Sequence, residues 1–128
     1  MASNSVDYEI FEAGDLELKS GETLRGARLA YKTYGNLNAN KDNVVVFPTF
    51  FGGKHTQNEG VIGEGRALDP NKYFIIVPNM FGNSVSSSPS NAMPPYNRAR
   101  FPSLSLYDNV SCQHRLVTEV FGIEKIAL

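Results

Sequence analysis

Cysteine, tryptophan and histidine are scarce in this sequence: its 128 residues include one cysteine, no tryptophan and two histidines. The single cysteine, Cys112, excludes an internal disulfide framework and a zinc site built from several cysteines. Neither His55 nor His114 belongs to a cluster of residues with the spacing of metal ligands. The sequence therefore predicts a protein with no metal centre and no bound cofactor.

An excess of charge of one sign is also missing, and so are long hydrophobic runs. The 12 basic and 13 acidic residues leave a formal charge of −1, so the chain lacks the basic surface that nucleic-acid binding requires. No window approaches the roughly 18 apolar residues of a membrane span, and the first residues lack the basic and apolar regions of a signal peptide. The sequence predicts no nucleic-acid partner, no membrane association and a cytoplasmic location.

Length and composition indicate one globular domain. A chain of this length is long enough for a single hydrophobic core and too short for two. Its 41% hydrophobic and 20% charged residues are ordinary for such a protein. Residues 1–7 are small and polar, which predicts a flexible terminus, and residues 8–128 are expected to belong to one domain.

The segment of residues 43–55 organises the predicted fold. Its apolar run at 44–47 has no polar alternation, which is typical of a central strand buried on both faces of a mainly parallel sheet. Pro48 removes a backbone donor, and Gly52 and Gly53 allow a sharp turn, so the chain is expected to leave the sheet there. Ligands of open α/β sheets bind at the carboxyl ends of the strands. The functional site is therefore predicted at this connection.

Two further patterns complete an α/β arrangement. Polar and apolar residues alternate over 8–19 and again over 27–34, which predicts an antiparallel ribbon. Residues 72–79 form a second buried run that is broken by a proline, and the apolar spacing over 61–68 predicts a short helix before it. Strand, helix and strand in this order predict a right-handed parallel crossover.

The last part of the chain predicts a helix and another strand. Ser105 and Asp108 have the spacing of a capping box, and Gly122 is the expected end of the helix. One helical face is predicted to carry Leu106, Val110, Gln113, Val117, Val120 and Phe121. Residues 123–128 predict the start of a third buried strand, which would leave an open sheet edge. The predicted α/β fold, an antiparallel ribbon followed by parallel β-α-β-α-β, is therefore incomplete as given.

Five segments together resemble the amino-terminal part of the homoserine O-acetyltransferase family, a branch of the α/β-hydrolase fold. They are LAYKTYGNLN at 29–38, GEGRALD at 63–69, YFIIVPN at 73–79, RFPSLSLYDNV at 100–110 and FGIEKI at 121–126. The resemblance extends over residues 8–128. It implies that those residues are the amino-terminal part of one α/β-hydrolase domain whose remainder is missing.

The resemblance implies a serine acyltransferase. In this family an acyl group passes from acyl-CoA, a co-substrate, to a serine and then to the hydroxyl of a small acceptor. Family members carry this serine in a Gly-x-Ser-x-Gly elbow directly after the strand that begins here at Ile123, with the aspartate and histidine further on. All three residues of this triad are absent from the sequence. The remainder of the enzyme, as a second chain, is therefore the expected partner, and this chain alone is expected to be inactive.

One part of the catalytic machinery is expected within this chain. Carried over by position, the backbone amide of Phe50 is the oxyanion donor contributed by the loop after the third strand. Phe51, Gly52 and His55 are expected to contact the substrate. The family usually has His-Ala-Leu-Thr-Gly in this loop, whereas this chain has PTFFG at 48–52. An esterase of the same fold, with water as acceptor, is therefore the alternative.

Two other interpretations stay open. A non-catalytic interaction module would form a homodimer through the apolar strand at 123–128. Ser84 lies in a sequence like a nucleophile elbow, but the second glycine is replaced by Ser86, which favours solvated loop serines. Cys112 is expected to be a packing or surface residue, because adjacent helix positions do not face each other. His114 is expected to be a partly exposed helix residue.

Overall fold

The computed structural model describes residues 8–49, 54–82, 86–88, 102 and 104–126. The predicted flexible terminus at 1–7 lies outside the described residues, as do residues 83–85 and 89–101. Within the described part of the chain, the fold is a mixed four-stranded sheet with few helices.

The sheet contains β1 (Glu9–Glu17), β2 (Thr23–Tyr34), β3 (Val44–Val46) and β4 (Phe74–Pro78), in the order β1-β2-β4-β3. β1 and β2 pair antiparallel, which confirms the predicted ribbon, and β2 pairs antiparallel with β4. β3 and β4 run parallel, as the crossover pattern predicted.

β4 is buried on both faces because each of its residues is apolar. Phe74 and Ile76 belong to the larger core, which lies between the sheet and the carboxyl-terminal helix, and Ile75 and Val77 belong to a smaller core on the other face. Successive side chains of a strand point to opposite faces, so a strand without polar residues requires cover on both. The sheet therefore sits between two hydrophobic layers.

β3 is also buried on both faces, with Val44 in the larger core and Val45 in the smaller one. Its position differs from the prediction of a central strand. Among the described residues it has one hydrogen-bonded neighbour, β4, and it forms the edge of the sheet. Burial on two faces therefore does not reveal how many neighbours a strand has.

The crossover between β3 and β4 corrects the predicted helix at 61–68. The helical segment is a 3₁₀-helix at His55–Val61, and Ile62 and Leu68 instead form an isolated parallel bridge. Gly63 and Gly65 have φ angles of 157° and 77°. These are backbone conformations that interrupt a helix, so the apolar spacing of this segment does not produce one.

Helix α1 (Leu106–Arg115) begins as predicted. Ser105 Oγ accepts the N–H of Asp108 at 3.2 Å, and Asp108 Oδ2 accepts the N–H of Ser105 at 2.9 Å, which completes the capping box. A π-helical turn at Leu116–Val120 follows, and Gly122, at a φ of 62°, ends the helix. The predicted cap and stop are both confirmed.

The buried face of this helix differs from the prediction. Leu106, Val110 and Val120 are exposed, whereas Cys112 and Leu116 lie in the core. The core-facing stripe also includes two polar residues, Asn109 and Gln113, together with Val117. The prediction is therefore correct for Gln113 and Val117 and wrong for Leu106, Val110 and Val120, and it missed Asn109, Cys112 and Leu116. Some of the apolar side chains left outside, Val110 among them, line a groove of about 250 Å³ with Val46, Ile123 and Ile126.

The predicted third strand at 123–128 is not formed in the described residues of that segment. Residues 122–126 have no regular structure, although Ile123 is buried. Residues 127 and 128 lie outside the described part. A strand is defined by ladder hydrogen bonds to a neighbour, and residues 123–126 form no such ladder with β3.

Asp108 joins the first hairpin to the helix. Its Oδ1 accepts the N–H of Lys19 at 2.9 Å. Burial raises the pKa of Asp108, but hydrogen bonds from Ser105 and Lys19 outweigh that effect, so the pKa lies below its usual value of 3.8. A carboxylate with a lowered pKa stabilises the fold at neutral pH, and this contribution is lost as the pH falls through the folded-state pKa.

We therefore expect Asp108→Asn to lower the free energy of unfolding by about 1 kcal/mol at pH 7, because a helix cap is weakened. The difference between the variant and the wild type should shrink as the pH falls below about 4. Urea denaturation at pH 7, 4 and 3 measures it. Glu124→Gln, at an exposed carboxylate, is the control, and an unchanged difference at every pH would contradict the expectation.

Candidate functional site at the ends of strands β3 and β4

The candidate site lies where β3 and β4 end side by side. Beyond Val46 the chain continues along β4: the N–H of Phe47 donates to the Ile76 carbonyl at 2.8 Å, and the N–H of Thr49 donates to the Pro78 carbonyl at 3.1 Å. The carboxyl ends of two parallel strands therefore meet at one edge, the place where open α/β sheets bind ligands.

Buried polar side chains gather at this edge. Each is at most 5% exposed: Thr49, His55, Asn58, Asn79, Ser86 and Ser88. A buried polar group left without a hydrogen bond costs about 1–3 kcal/mol, and in the described part of the chain every buried side-chain nitrogen and oxygen has a partner. We call these residues the polar cluster.

Asn79 is the centre of the polar cluster. It directly follows β4, and none of its surface is exposed. Its Oδ1 accepts the N–H of His55 at 2.9 Å, and its Nδ2 lies 3.0 Å from His55 Nδ1 and 3.3 Å from the Ala30 carbonyl oxygen. The Asn79 N–H also donates to the Ala30 carbonyl, at 2.8 Å. One side chain thus connects β2, the end of β4 and the start of the 3₁₀-helix.

These contacts determine which nitrogen of His55 carries the ring proton. Asn79 Nδ2 has two hydrogens and approaches His55 Nδ1 more closely than Asn79 Oδ1 does, at 3.0 Å against 3.3 Å. We therefore assign Nδ1 as the acceptor and place the proton on Nε2. The ring of Tyr8 packs against the imidazole at an interplanar angle of 64°, with 5.6 Å between ring centroids.

Thr49 and Asn58 hold the chain as it leaves β3. Thr49 Oγ1 accepts the N–H of Met80 at 3.1 Å. Asn58, on the 3₁₀-helix, donates from Nδ2 to the carbonyls of Phe47 and Pro48 at 3.2 and 3.1 Å. These carbonyls lie beyond the last β3 residue, so the asparagine replaces the partners that a longer strand would supply.

The serines at 86–88 extend the same network along β2. Ser86 Oγ accepts the N–H of Ala30 and donates to the Asn79 carbonyl, at 2.8 and 2.7 Å. Ser87 exchanges two hydrogen bonds with the backbone of Arg28. The expectation of solvated loop serines is therefore wrong for Ser86 and Ser88, which are buried, because β2 continues past the end of β4 and needs partners there.

Apart from His55, the ionisable groups considered for the site lie outside the polar cluster. Glu59, on the 3₁₀-helix, forms an ion pair with Lys32 at 3.4 Å and accepts a hydrogen bond from the Tyr34 hydroxyl. On helix α1, burial raises the pKa of Cys112 to about 11. That thiol is a packing residue, and His114 is exposed on the same helix.

The predicted site residues fall into two groups. Phe50, Phe51 and Gly52 lie outside the described residues, as does Ser84. His55 is described, and the structure places it in the polar cluster, 3% exposed and bonded to Asn79. The predictions that Phe50 donates to an oxyanion and that His55 contacts substrate therefore stay predictions.

Sequence reasoning missed most of the polar cluster. Asn79 has a recognisable signal, a polar residue directly after a buried apolar strand, at the edge where α/β sheets bind ligands. Thr49 has the same relation to the run at 44–47. Asn58 and Ser86 carry no such signal, because each is polar within a polar segment, where exposure is the usual outcome.

The described residues contain no group of three or more histidine, cysteine, aspartate or glutamate side chains that are placed to hold a metal ion. Among the same residues, no helix has the length and apolar character needed to cross a membrane. The polar cluster offers amide, hydroxyl and imidazole groups, and many of its hydrogen bonds are with backbone groups, so the cluster positions backbone.

Comparison with known proteins identifies relatives over almost the whole chain, although no family model matches it. An ethyl acetate hydrolase from Pseudomonas veronii is 44% identical over 98% of this chain and 36% of its own length. A homoserine O-acetyltransferase from Pelagibacter ubique is 36% identical over 87% of this chain and 34% of its own length.

Comparison with solved structures points to the same group of proteins. The crystal structure of the acetyl esterase MekB superposes with a TM-score of 0.92 and 42% identity, covering 99% of this chain and 37% of the esterase. The chain thus spans a little over a third of the length of such relatives. By sequence and fold it belongs to the α/β-hydrolase-fold proteins that include homoserine O-acetyltransferases and acetyl esterases, as the sequence resemblance predicted, and it corresponds to part of that fold.

Proposed function

We propose that this chain is part of a serine hydrolase that cleaves acetyl and other short-chain carboxylic esters. The observation that supports this most directly is sequence identity: the ethyl acetate hydrolase is 44% identical to the chain, against 32–38% for homoserine O-acetyltransferases among its relatives. The esterase alternative is therefore favoured over the acetyl transfer that the sequence resemblance implied.

The proposed reaction passes through a covalent acyl-serine. The serine oxygen attacks the ester carbonyl carbon, the alcohol leaves with a proton from the catalytic base, and water then releases the acid and restores the serine. The Gly-x-Ser-x-Gly elbow is not in this sequence, so the nucleophile, acid and base come from further sequence. This chain contributes the sheet and, at its carboxyl edge, the site described above.

The Phe50 amide is the proposed oxyanion donor of this chain. A preorganised donor aimed at the developing negative charge is worth roughly 3 kcal/mol of transition-state stabilisation. Its neighbours Phe51 and Gly52, together with His55, are proposed to shape the acyl-binding pocket. Support comes from their position in the sequence, since they follow β3, whose carboxyl end lies beside that of β4.

Acyl transfer is the second candidate, because homoserine O-acetyltransferases are also relatives. In that reaction acyl-CoA would acylate the serine, and a small hydroxyl compound such as homoserine would accept the group. The PTFFG sequence at 48–52, which differs from the loop usual in that family, favours water as the acceptor.

The proposed partner is the remainder of the enzyme, which would add its strands at the outer edge of β3. That edge has no hydrogen-bonded neighbour among the described residues, and an open strand edge favours strand addition. Native mass spectrometry of the protein purified from its source tests this. A second, larger chain supports a split enzyme, and a homodimer of this chain alone supports the interaction module. A cytoplasmic location is part of the same proposal.

The activity is tested on the complete protein that contains this chain. We expect it to hydrolyse p-nitrophenyl acetate and ethyl acetate, to be inactivated by a serine-directed phosphonate, and to release no CoA from acetyl-CoA with homoserine. CoA release that depends on homoserine, with no ester hydrolysis, would establish acyl transfer instead. Absence of both activities would overturn the proposed function.

Residues 1–128 alone are expected to show no esterase or acetyltransferase turnover, because the sequence lacks the serine elbow. The same ester assay on this chain checks the expectation. Turnover that is abolished by Ser84→Ala would show instead that the nucleophile lies within these residues.

A further inference from the structure

The groove of about 250 Å³ beside helix α1 holds apolar side chains that are open to solvent. It lies between the helix, the end of β3 and the segment that follows the helix. Its apolar lining consists of Val46, Val110, Val117, Ile123 and Ile126. Val110 and Ile126 are 56% and 53% exposed. We call this surface the α1 groove.

The base of the α1 groove is part of the larger core. Val117 and Ile123 are buried members of that core, and Val46 packs against it. The Ile123 N–H donates to the Val117 carbonyl at 3.1 Å, which ties the segment after the helix to the helical turn before it. The groove is therefore an open side of the core that lies between the helix and the sheet.

Polar residues surround this apolar centre. The groove is also lined by Gln113, His114, Thr118 and Glu124, and all of these except Gln113 are exposed. An apolar centre within an exposed polar rim is typical of a surface that another polypeptide segment covers. The composition of the α1 groove therefore favours a docking surface.

The α1 groove adjoins the open edge of the sheet through Val46. This valine is the last residue of β3, and among the described residues β3 is hydrogen-bonded to β4 alone. A further strand beside β3 would bring side chains to the same face of the sheet as Val46, and they would need cover there. A strand parallel to β3 would be joined through a crossover, which is usually an α-helix. The occupant that fits the groove is therefore a helix with an apolar face.

The relatives of this chain have enough further sequence to supply such a helix. The chain spans 36% of the ethyl acetate hydrolase and 37% of the acetyl esterase, so nearly two thirds of each relative lies outside the matched part. A second copy of this chain fits less well. Docked in the groove, it would leave the edge of β3 unpaired, and an open edge favours aggregation.

We propose that the α1 groove is the docking surface for the apolar face of a helix in the remainder of the enzyme. This helix would cover the strand that is added at the edge of β3. The inference rests on the proposed function, in which this chain is one part of a larger enzyme, and it adds a contact of helix against helix to the proposed strand addition. Val110, which is exposed in this chain, is then buried in the complete protein.

A charge at position 110 tests this burial. Aspartate at an exposed position has little effect on stability, whereas a carboxylate buried in an apolar contact is costly. We therefore expect Val110→Asp to lower the thermal midpoint of the complete protein by about 5–10 °C. Ser111→Asp, at the next and exposed helix position, controls for the low helix propensity of aspartate and should shift the midpoint by less than about 2 °C.

Photo-crosslinking identifies the occupant, even if Val110→Asp does not fold. The photoreactive residue p-benzoylphenylalanine replaces Val110 in one variant of the complete protein and Thr118, at the exposed rim, in another. Ser111 is the control position. After irradiation and proteolysis, mass spectrometry identifies the linked peptides. We expect positions 110 and 118 to link to peptides from the remainder of the enzyme, and position 111 to give little or no such product.

Every outcome decides for or against the docking surface. Links from positions 110 and 118 to peptides of residues 1–128, whether of the same copy or of a second one, would overturn it. So would the absence of any link at both positions, equal yields at positions 110 and 111, or equal midpoint shifts in folded Val110→Asp and Ser111→Asp proteins.

The same experiments keep the two proposals separate, because crosslinking does not require activity. If the complete wild-type protein is inactive on esters and acyl-CoA but positions 110 and 118 link to the remainder, the proposed function fails and the docking surface stands. If the wild type is active and neither position links to the remainder, the docking surface fails and the proposed function stands.

Discussion

Replacing Gly35 with alanine is expected to destabilise the protein by about 2–5 kcal/mol. Gly35 directly follows β2 and has a φ of 82°, a backbone conformation that residues with a side chain rarely adopt. A Cβ atom there would lie 2.2 Å from the carbonyl oxygen of Tyr73 and 2.6 Å from that of Pro70. Both contacts are with backbone next to β4, so relief requires the connection before β4 to move. The midpoint of urea denaturation measures the effect.

Gly21 offers a control for the backbone conformation alone. It has a similar φ of 93° in the turn between β1 and β2, but an added Cβ would meet no atom within 4 Å. Gly21→Ala should therefore cost only the conformational strain, about 1–2 kcal/mol. Equal losses in the two variants would mean that the close approach of Gly35 to the chain before β4 contributes nothing.

Leu116→Ala is expected to lower the free energy of unfolding by about 2–5 kcal/mol. Leu116 begins the π-helical turn, is 0% exposed and belongs to the core between the helix and the sheet. Its truncation removes buried apolar surface and leaves a cavity that neighbouring strands cannot fill. Denaturation followed by far-ultraviolet circular dichroism gives the difference.

Leu106→Ala is the matched control for Leu116→Ala. Leu106 is at the start of the same helix but is 69% exposed, and changes at exposed positions are usually within about 0.5 kcal/mol. The hydrophobic pattern of the sequence predicts the opposite ranking, because it places Leu106 on the core face. A larger decrease in the free energy of unfolding for Leu106→Ala than for Leu116→Ala would therefore support the helix face that the sequence predicts.

Local patterns predicted a large part of the fold correctly. The alternation in β1 and β2 and the capping box at Ser105 and Asp108 each depend on residues close together in the chain. The parallel pairing of β3 and β4 followed from two buried runs with a connection between them. In these cases the chemistry of neighbouring residues is sufficient, because the competing conformations would expose apolar surface or leave backbone groups unbonded.

The helix after β3 and the helix face were predicted wrongly for a common reason. Apolar spacing indicates where a helix is possible, but Gly63 and Gly65 interrupt it in one case. In the other case the polar residue Asn109 occupies a buried position that apolar spacing did not indicate. Asn109 is suited to burial because its Oδ1 accepts the N–H of Phe81 at 2.8 Å. A hydrogen-bond partner 28 residues away is invisible to any local pattern.

The amino-acid sequence by itself determined the strands β1 to β4, the helix cap, the family resemblance and the edge of the sheet at which we propose the site. Only the tertiary structure decided that Asn79, His55 and Thr49 form one buried polar cluster there. The reason is physical: burying an asparagine or a histidine costs free energy unless partners from distant segments form hydrogen bonds with it. Those partners, such as the Ala30 carbonyl for Asn79, come together only when β2 and β4 lie side by side.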